Sequence, residues 1–214
     1  MSSLGVSLRT GAREIPDLHL VMHAIAIKKH AAPDAIAAVS GLPAARVEAA
    51  LALGAAKGRL VEADGRYALA PAGRLMLDGE YSRYYADLRA DTRFSSGYER
   101  FEVVNRELKQ LITDWQTVEI GGQRVANDHS NKEHDARVLD RLSGLHERFE
   151  PILQGLVACA PRLGVYRMKL EAALEKAEDG DIAWVSDARI ESYHTVWFEL
   201  HEDLLRLLGR VRDE

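Results

Sequence analysis

Residues 40–73 read SGLPAARVEAALALGAAKGRLVEADGRYALAPAG, and this stretch decides the fold of the N-terminal part of the chain. Pro43 suits the first position of a helix, and Gly58 has the place of a C-cap glycine at its end. The dipeptide Asp64-Gly65 is a strong signal for a tight hairpin turn. We therefore predict a helix from Pro43 to Lys57 followed by a hairpin, whose strands are Leu60–Glu62 and Arg66–Leu69.

Two helical segments precede this stretch. Apolar residues recur at helical spacing from Leu18 to His30, and Pro33 begins a short helix that reaches about Val39. The order helix, short helix, glycine-containing turn, helix and hairpin is typical of a winged helix-turn-helix domain. We assign that domain to residues 17–78 and expect residues 1–16 to form a mobile arm.

A resemblance to a known family is carried by Ser40-Gly41-Leu42-Pro43, Val47, Leu51, Gly58, Leu60-Val61-Glu62 and Tyr67-Ala68-Leu69-Ala70-Pro71-Ala72-Gly73-Arg74. Over about residues 18–78 the chain is similar to bacterial winged-helix regulators of the multiple-antibiotic-resistance-regulator (MarR-like) kind. The resemblance implies a transcription regulator. Gly54 departs from the pattern, because such helices commonly place a large apolar residue there.

The third helix of a winged helix normally enters the major groove of DNA. At about 100° per residue, Val47, Ala50, Leu51 and Gly54 face the interior of the domain. Base readout needs donors and acceptors such as Arg, Asn, Gln or Ser, whereas alanines can touch thymine methyl groups and little else. The outward face of this helix carries Ala45, Ala49, Ala52 and Ala56, flanked by Arg46, Glu48 and Leu53.

Phosphate contacts need several cations on one side of the domain. Residues 1–92 carry 11 Lys or Arg against 10 Asp or Glu, so the domain lacks the positive excess usual in DNA-binding domains. Two functions therefore stay open: binding of duplex DNA, or docking of the alanine-rich face on a protein partner such as an enzyme. The DNA-binding candidates are Arg46, Lys57, Arg59, Arg66 and Arg74.

The C-terminal half repeats apolar residues at alternating steps of three and four, a spacing typical of helices packed side by side. We predict a mainly α fold in which the N-terminal winged helix is followed, after a connecting helix over residues 79–95, by an antiparallel helical bundle over residues 96–214. Thr117–Asn131 is predicted as a polar loop, and Pro151 should kink or break its helix. The predicted helix starts are Ser96, Ser130, Pro161 and Ser186 or Asp187.

Aromatic and polar residues converge on the predicted bundle core, which makes a small-molecule pocket a candidate. The alternative is a core whose Trp and Tyr polar atoms are satisfied internally. The pocket candidates are Asn105, Trp115, His146, Tyr193, His194, Trp197 and His201.

Metal and catalytic sites find little support in the sequence. Glu191-x-x-His194 has the ligand spacing of di-iron bundles, but those need a second such motif, which does not occur here. No phosphate-binding glycine loop, serine elbow or Cys-His pair with family spacing is present. We expect no metal, no cofactor and no enzymatic activity, and a metal-dependent bundle enzyme is the third alternative.

A second resemblance covers residues 98–212. It is carried by Asn105-Arg106-Glu107-Leu108-Lys109, Thr113-Asp114-Trp115-Gln116, Asn127-Asp128-His129 and the run from Tyr193 to Asp203. This half is similar to a helical region of actinobacterial proteins that follows a winged helix and sometimes accompanies phosphoenolpyruvate-utilising enzyme domains. The phosphohistidine domain of those enzymes is absent, so the resemblance implies a regulatory or accessory role only.

Bulk properties favour the cytoplasm. The chain has a single cysteine, no continuous apolar run of about 18 residues, and no basic-then-apolar order over Met1–Arg13. We expect a cytoplasmic, homodimeric winged-helix regulatory protein whose C-terminal domain senses a small-molecule effector or a protein partner, with no membrane association. The alternative is an accessory protein that never binds DNA and docks on an enzyme through its third helix.

Overall fold

The computed structural model describes residues 14–211, so the predicted mobile arm over 1–16 lies almost wholly outside the described residues. The chain is mainly helical with small antiparallel sheets. It divides into two compact units, Met1–Asp87 (unit 1) and Leu88–Glu214 (unit 2).

Unit 1 consists of helices around a small three-stranded antiparallel sheet. The strand order is β1-β3-β2. The core is formed by apolar residues of α1, α2, α3 and α4, among them Met22, Ile36, Leu51 and Leu77. The elements are α1 (Asp17–Lys28), β1 (His30–Ala31), α2 (Pro33–Ser40), α3 (Ala44–Ala56), β2 (Leu60–Ala63), β3 (Arg66–Leu69) and α4 (Pro71–Tyr84).

The predicted hairpin of unit 1 is confirmed. Ala63 pairs with Arg66, so the turn contains only two residues. Asp64 has φ 51° and Gly65 has φ 71°, and positive φ at both central positions is what the favoured two-residue hairpin turn requires. The backbone N–H of Gly65 also donates to Glu62 Oε1 at 2.8 Å.

Unit 2 is built from long helices. α6 packs against α7, and α10 packs against α8 and α9. The three-and-four spacing predicts Ile152 and Ile190 as core residues, but both are only half-buried. Leu153 takes the core position after Phe149. After α5 (Ala86–Ala90), which spans the division between the units, the elements are α6 (Thr92–Gln116), β4 (Thr117–Ile120), β5 (Gln123–Ala126), α7 (Lys132–Cys159), a 3₁₀ turn (Pro161–Leu163), α8 (Gly164–Glu178), α9 (Ala183–Ser186) and α10 (Tyr193–Leu208).

The region predicted as a polar loop over 117–131 contains a second hairpin instead. Ile120 pairs with Gln123, and the two turn residues Gly121 and Gly122 have φ 61° and 79°. Glycine adopts these angles without steric cost, so the pair favours the same type of tight turn as in unit 1. The loop prediction is therefore wrong over residues 117–126.

Several helix boundaries differ from the prediction because other side chains cap the helices. Asp91, not Ser96, caps α6 by accepting from Arg93 N at 2.8 Å. Residues 79–95, predicted as one connecting helix, are divided among α4, α5 and α6. Ser192 caps α10, while Asp187 accepts from Arg189 N at 2.8 Å in the preceding turn.

α7 runs through Pro151 without interruption. The predicted break is therefore wrong, and a kink stays a prediction. Asn131, rather than Ser130, caps this helix, with its side-chain oxygen accepting from His134 N at 3.1 Å.

Candidate functional site

The helix α3 is held in unit 1 by its inner face. Val47, Ala50, Leu51 and Gly54 are buried, as the helical spacing predicted. A Cβ at Gly54 would lie 2.6 Å from Leu60 Cδ1 and 3.1 Å from Leu18 Cδ1. Leu60 of β2 thus fills the space that a large residue at position 54 would need, so the packing requires a glycine there.

The outer face of α3 is open and apolar. Leu53 is 44% exposed beside the alanines, and no side chain of this face offers the donor and acceptor pairs that read base edges. This confirms the predicted orientation of the helix. The exposed alanines are Ala45, Ala49, Ala52 and Ala56.

Arg46, the cation on this helix, is bound within unit 1. Its Nε donates to Asp17 Oδ2 of α1 at 2.7 Å, and its second guanidinium nitrogen donates to the other carboxylate oxygen. The hydrogen bond and the charge of Asp17 raise the pKa of Arg46. A phosphate would therefore have to compete with Asp17 for this side chain.

The other predicted DNA-binding cations follow α3 in the sequence. Arg66 begins β3 directly after the hairpin turn, and Arg59 lies just before β2. Within the part of the chain that the structure describes, none of them forms an ion pair with a carboxylate. These available cations are Lys57, Arg59, Arg66 and Arg74.

No protein-family model matches the chain, and no match is found among curated proteins or solved structures.

The pocket candidates of unit 2 fall in three places. Asn105, His194, Trp197 and His201 line one small cavity. His146 contacts Tyr193, with Nδ1 3.2 Å from the hydroxyl oxygen. Trp115 packs on His129, whose ring centroid lies 4.6 Å away.

A polar chain links α6 and α10 at the first of these places. Trp197 Nε1 donates to Asn105 Oδ1 at 3.0 Å, and Asn105 Nδ2 donates to Glu102 Oε2 at 3.4 Å. His201 Nε2 lies 2.7 Å from the other oxygen of Glu102. Burial opposes the charge of Glu102, but hydrogen bonds from Tyr98, Asn105 and His201 outweigh it, and its pKa lies below the usual value.

The cavity beside this chain has a volume of about 40 Å³. Pockets for small-molecule ligands usually measure about 300–1,000 Å³, so this space suits ordered water only. Phe101 and Phe149 fill the neighbouring volume, with ring centroids 5.1 and 4.4 Å from that of Trp197. The arrangement therefore joins α6 to α10 through the hydrogen bonds of Trp197, Asn105 and Glu102.

His146 and His194 are half-buried histidines. Burial lowers the pKa of each, and for His146 the surrounding glutamates only partly offset this effect. The hydroxyl of Tyr193 is fully buried, and burial raises its pKa well above the usual value. Neutral side chains at this contact fit a packing role.

A buried ion pair was not predicted from the sequence. Arg162 binds both carboxylate oxygens of Asp203, one of them at 2.6 Å, and Tyr166 donates to the same carboxylate at 2.9 Å. Asp203 has no exposed surface. The pair fixes the start of α8 against α10.

Glu191, the glutamate of the Glu-x-x-His spacing, forms an ion pair with a lysine. Lys169 Nζ lies 2.6 Å from Glu191 Oε1. Among residues 14–211, no group of three His, Cys, Asp or Glu side chains is placed to hold a metal ion. No single helix in that range has the length and hydropathy needed to cross a bilayer; only α2 and α3 taken together as one sharply bent pair reach that threshold.

A groove of about 420 Å³ lies where α6, the β4–β5 hairpin and the start of α7 meet. The sequence analysis predicts no groove at this place. Its charged or titratable lining residues are Asp114, Glu119, Arg124, His134, Arg137 and Arg141.

Proposed function

We propose that the protein is a winged-helix regulatory protein that binds duplex DNA through unit 1 and senses a ligand or partner through unit 2. The observation that carries the proposal is the placement of α3. The inner face of this helix is buried and its whole outer face is open. The hairpin of β2 and β3 follows it in sequence, and Arg66 is the first residue of β3.

The order of elements supports this assignment. Unit 1 contains, in order, a helix, a strand, two helices and a hairpin, and its sheet has the order β1-β3-β2. These are the parts of a winged helix. The sequence resemblance over residues 18–78 points the same way.

Phosphate contacts dominate the proposed DNA complex. The alanine face fits against thymine methyl groups but discriminates poorly among bases. Affinity then depends on Lys57, Arg59, Arg66 and Arg74, and each phosphate contact adds about one to the slope of log affinity against log salt. We expect low sequence specificity and a steep loss of binding with salt.

Fluorescence anisotropy with labelled random duplex DNA between 50 and 200 mM salt tests this proposal. Arg66→Gln and Lys57→Gln should each weaken binding and lower the salt slope by about one. Arg189→Gln, which removes an exposed cation of unit 2, is the matched control. No binding at 50 mM salt, or equal weakening by the control, would refute DNA binding through these residues.

Asp17→Asn gives a second, opposite test. Because Asp17 holds Arg46, the neutral variant releases a guanidinium beside α3. DNA binding should become tighter. Protein docking through the alanine face gains nothing from this change.

Docking on a protein partner, such as an enzyme, is the second candidate function. The bound state of Arg46 and the 44% exposure of Leu53 favour it, because an apolar face without free donors suits a protein surface. Ala52→Lys separates the two functions. The added cation should strengthen DNA binding but prevent close apolar docking at the centre of the face.

A homodimer would strengthen the DNA proposal. Two copies of α3 set about 34 Å apart can enter successive major grooves on one side of the duplex. Sedimentation equilibrium of the whole chain measures the oligomeric state directly. A monomer at all concentrations would restrict the protein to single-site binding.

A further inference from the structure

We propose that the groove between the end of α6, the β4–β5 hairpin and the start of α7 binds a compact, multiply charged phosphate compound. The groove is lined by three arginines from two different elements and has a volume of about 420 Å³. That volume lies within the range of small-molecule sites.

Helix α7 contributes one continuous stripe to the groove. His134, Arg137, Val138 and Arg141 follow the spacing i, i+3, i+4 and i+7, which places all four on one face of the helix. Arg124 approaches from β5. Guanidinium groups reaching one space from two elements match the acceptor oxygens of a phosphate, which point in several directions.

The acidic residues of the groove offset only part of this charge. Asp114 is already engaged, because its Oδ2 accepts from Arg141 at 2.8 Å and its Oδ1 accepts from Gln110 at 2.7 Å. Although burial opposes its charge, these hydrogen bonds lower its pKa. Glu119 lies opposite Arg124 in the hairpin register, yet their side chains form no ion pair.

Two of the three arginines remain available to a ligand. Arg124 has no carboxylate partner among residues 14–211. Arg137 pairs with Glu133 at 2.8 Å, but both side chains are largely exposed, and such a pair is readily exchanged for a stronger anion. His134 Nε2 donates to the main-chain oxygen of Asp114 at 2.9 Å, which fixes its ring at the edge of the groove.

The lining also restricts the ligand. Val118 and Val138 are its apolar side chains, and no Trp, Tyr or Phe ring lines it. A nucleobase would find no stacking partner, so a small phosphate compound fits better than a nucleotide. That this ligand acts as an effector rests on the sensing function proposed for unit 2. That it binds in the groove does not depend on that function.

Isothermal titration calorimetry with sodium pyrophosphate at low ionic strength tests the site on the whole chain without DNA. We expect saturable binding that Arg124→Gln weakens at least tenfold and Arg124→Lys weakens less. Arg189→Gln, in an exposed turn of unit 2, is the control and should bind like the unchanged protein.

Arg124 is the decisive position because its removal breaks no ion pair within the described chain. Arg137→Gln, which removes the other available arginine, should also weaken binding at least tenfold, with circular dichroism checking that the variant folds. No saturable binding up to about 5 mM pyrophosphate, equal weakening by the control, or tighter binding of citrate than of pyrophosphate would overturn the proposal. Because DNA is absent, failure here leaves the DNA-binding proposal standing, and the reverse also holds.

Discussion

Replacing Gly73 by alanine tests how closely α4 approaches the base of the hairpin in unit 1. A Cβ at this position would lie 2.0 Å from the carbonyl oxygen of Arg59 and 2.9 Å from its carbonyl carbon. These are backbone atoms, so no side-chain rotation relieves the clash. The same carbonyl accepts from Ala70 N at 2.9 Å, directly before α4.

The cost can be estimated from the shift required. Reaching an ordinary contact of 3.4 Å demands a separation of roughly 1.4 Å between α4 and the chain before β2. Overpacking of this kind costs about 1–3 kcal/mol. Loss of the Ala70 hydrogen bond adds about 1 kcal/mol, and the better helix propensity of alanine returns up to about 1 kcal/mol. We expect Gly73→Ala to lower the free energy of unfolding of unit 1 by about 1–4 kcal/mol.

Gly79→Ala is the matched control, because it lies in the same helix and a Cβ there meets nothing within 4 Å. It should stabilise unit 1 by up to about 1 kcal/mol. Amide hydrogen exchange of residues 60–84 measures the effect in this unit. The three tryptophans, Trp115, Trp184 and Trp197, all lie in unit 2 and report that unit separately. Equal or greater protection in Gly73→Ala than in the unchanged protein would refute the close approach.

Three further predictions concern unit 2. Arg162→Met should cost about 3–5 kcal/mol in urea unfolding, because it leaves the carboxylate of Asp203 buried without its cation; a loss below about 1 kcal/mol would contradict this. Asn105→Ala should cost about 1–3 kcal/mol and alter the near-ultraviolet circular dichroism of Trp197, whose Nε1 loses its acceptor; an unchanged spectrum would argue against the bond. Because burial lowers the folded-state pKa of His146, the unfolded chain takes up its proton first as the pH falls, and stability decreases below the ordinary histidine pKa of about 6.5. His146→Gln should therefore lose less stability than the unchanged protein between pH 7.5 and pH 5, measured by urea unfolding, and an equal loss would exclude this contribution.

The features of unit 1 that depend on neighbours in sequence were predictable. The turn at Asp64-Gly65 needs only two residues with positive φ, and the dipeptide supplies them. The orientation of α3 follows from the spacing of Val47 and Leu51, which are both buried. Each of these predictions uses a local rule that the rest of the fold does not contradict.

The second hairpin escaped prediction for a physical reason. Every residue of β5 is exposed, and Ile120 of β4 is 66% exposed, so no buried face imposes a clear alternation on the sequence. Only Gly121-Gly122 signals the turn. The groove beside this hairpin was missed along with it.

The predicted start of α6 at Ser96 is wrong because Asp91, earlier in the chain, caps the helix instead. Asp91 accepts hydrogen bonds from the backbone and the side chain of Arg93, which lower its pKa to about 2. An ionised carboxylate at this position begins α6 one turn before Ser96, and the box pattern at Ser96 then lies inside the helix. The pattern alone does not distinguish a helix start from a helix interior.

The internal polar chain and the groove of unit 2 both bring together residues that are distant in sequence, so the sequence alone did not predict them. Residues 93–214 carry 17 Lys or Arg against 23 Asp or Glu, a composition that argues against an anion site. Yet Asp203 forms an ion pair with Arg162 in the interior, and Glu191 forms one with Lys169. Net charge does not predict the local potential, because that potential depends on where the charges lie. An acidic unit can therefore present a cationic groove, provided that its arginines lie where few carboxylates compete for them.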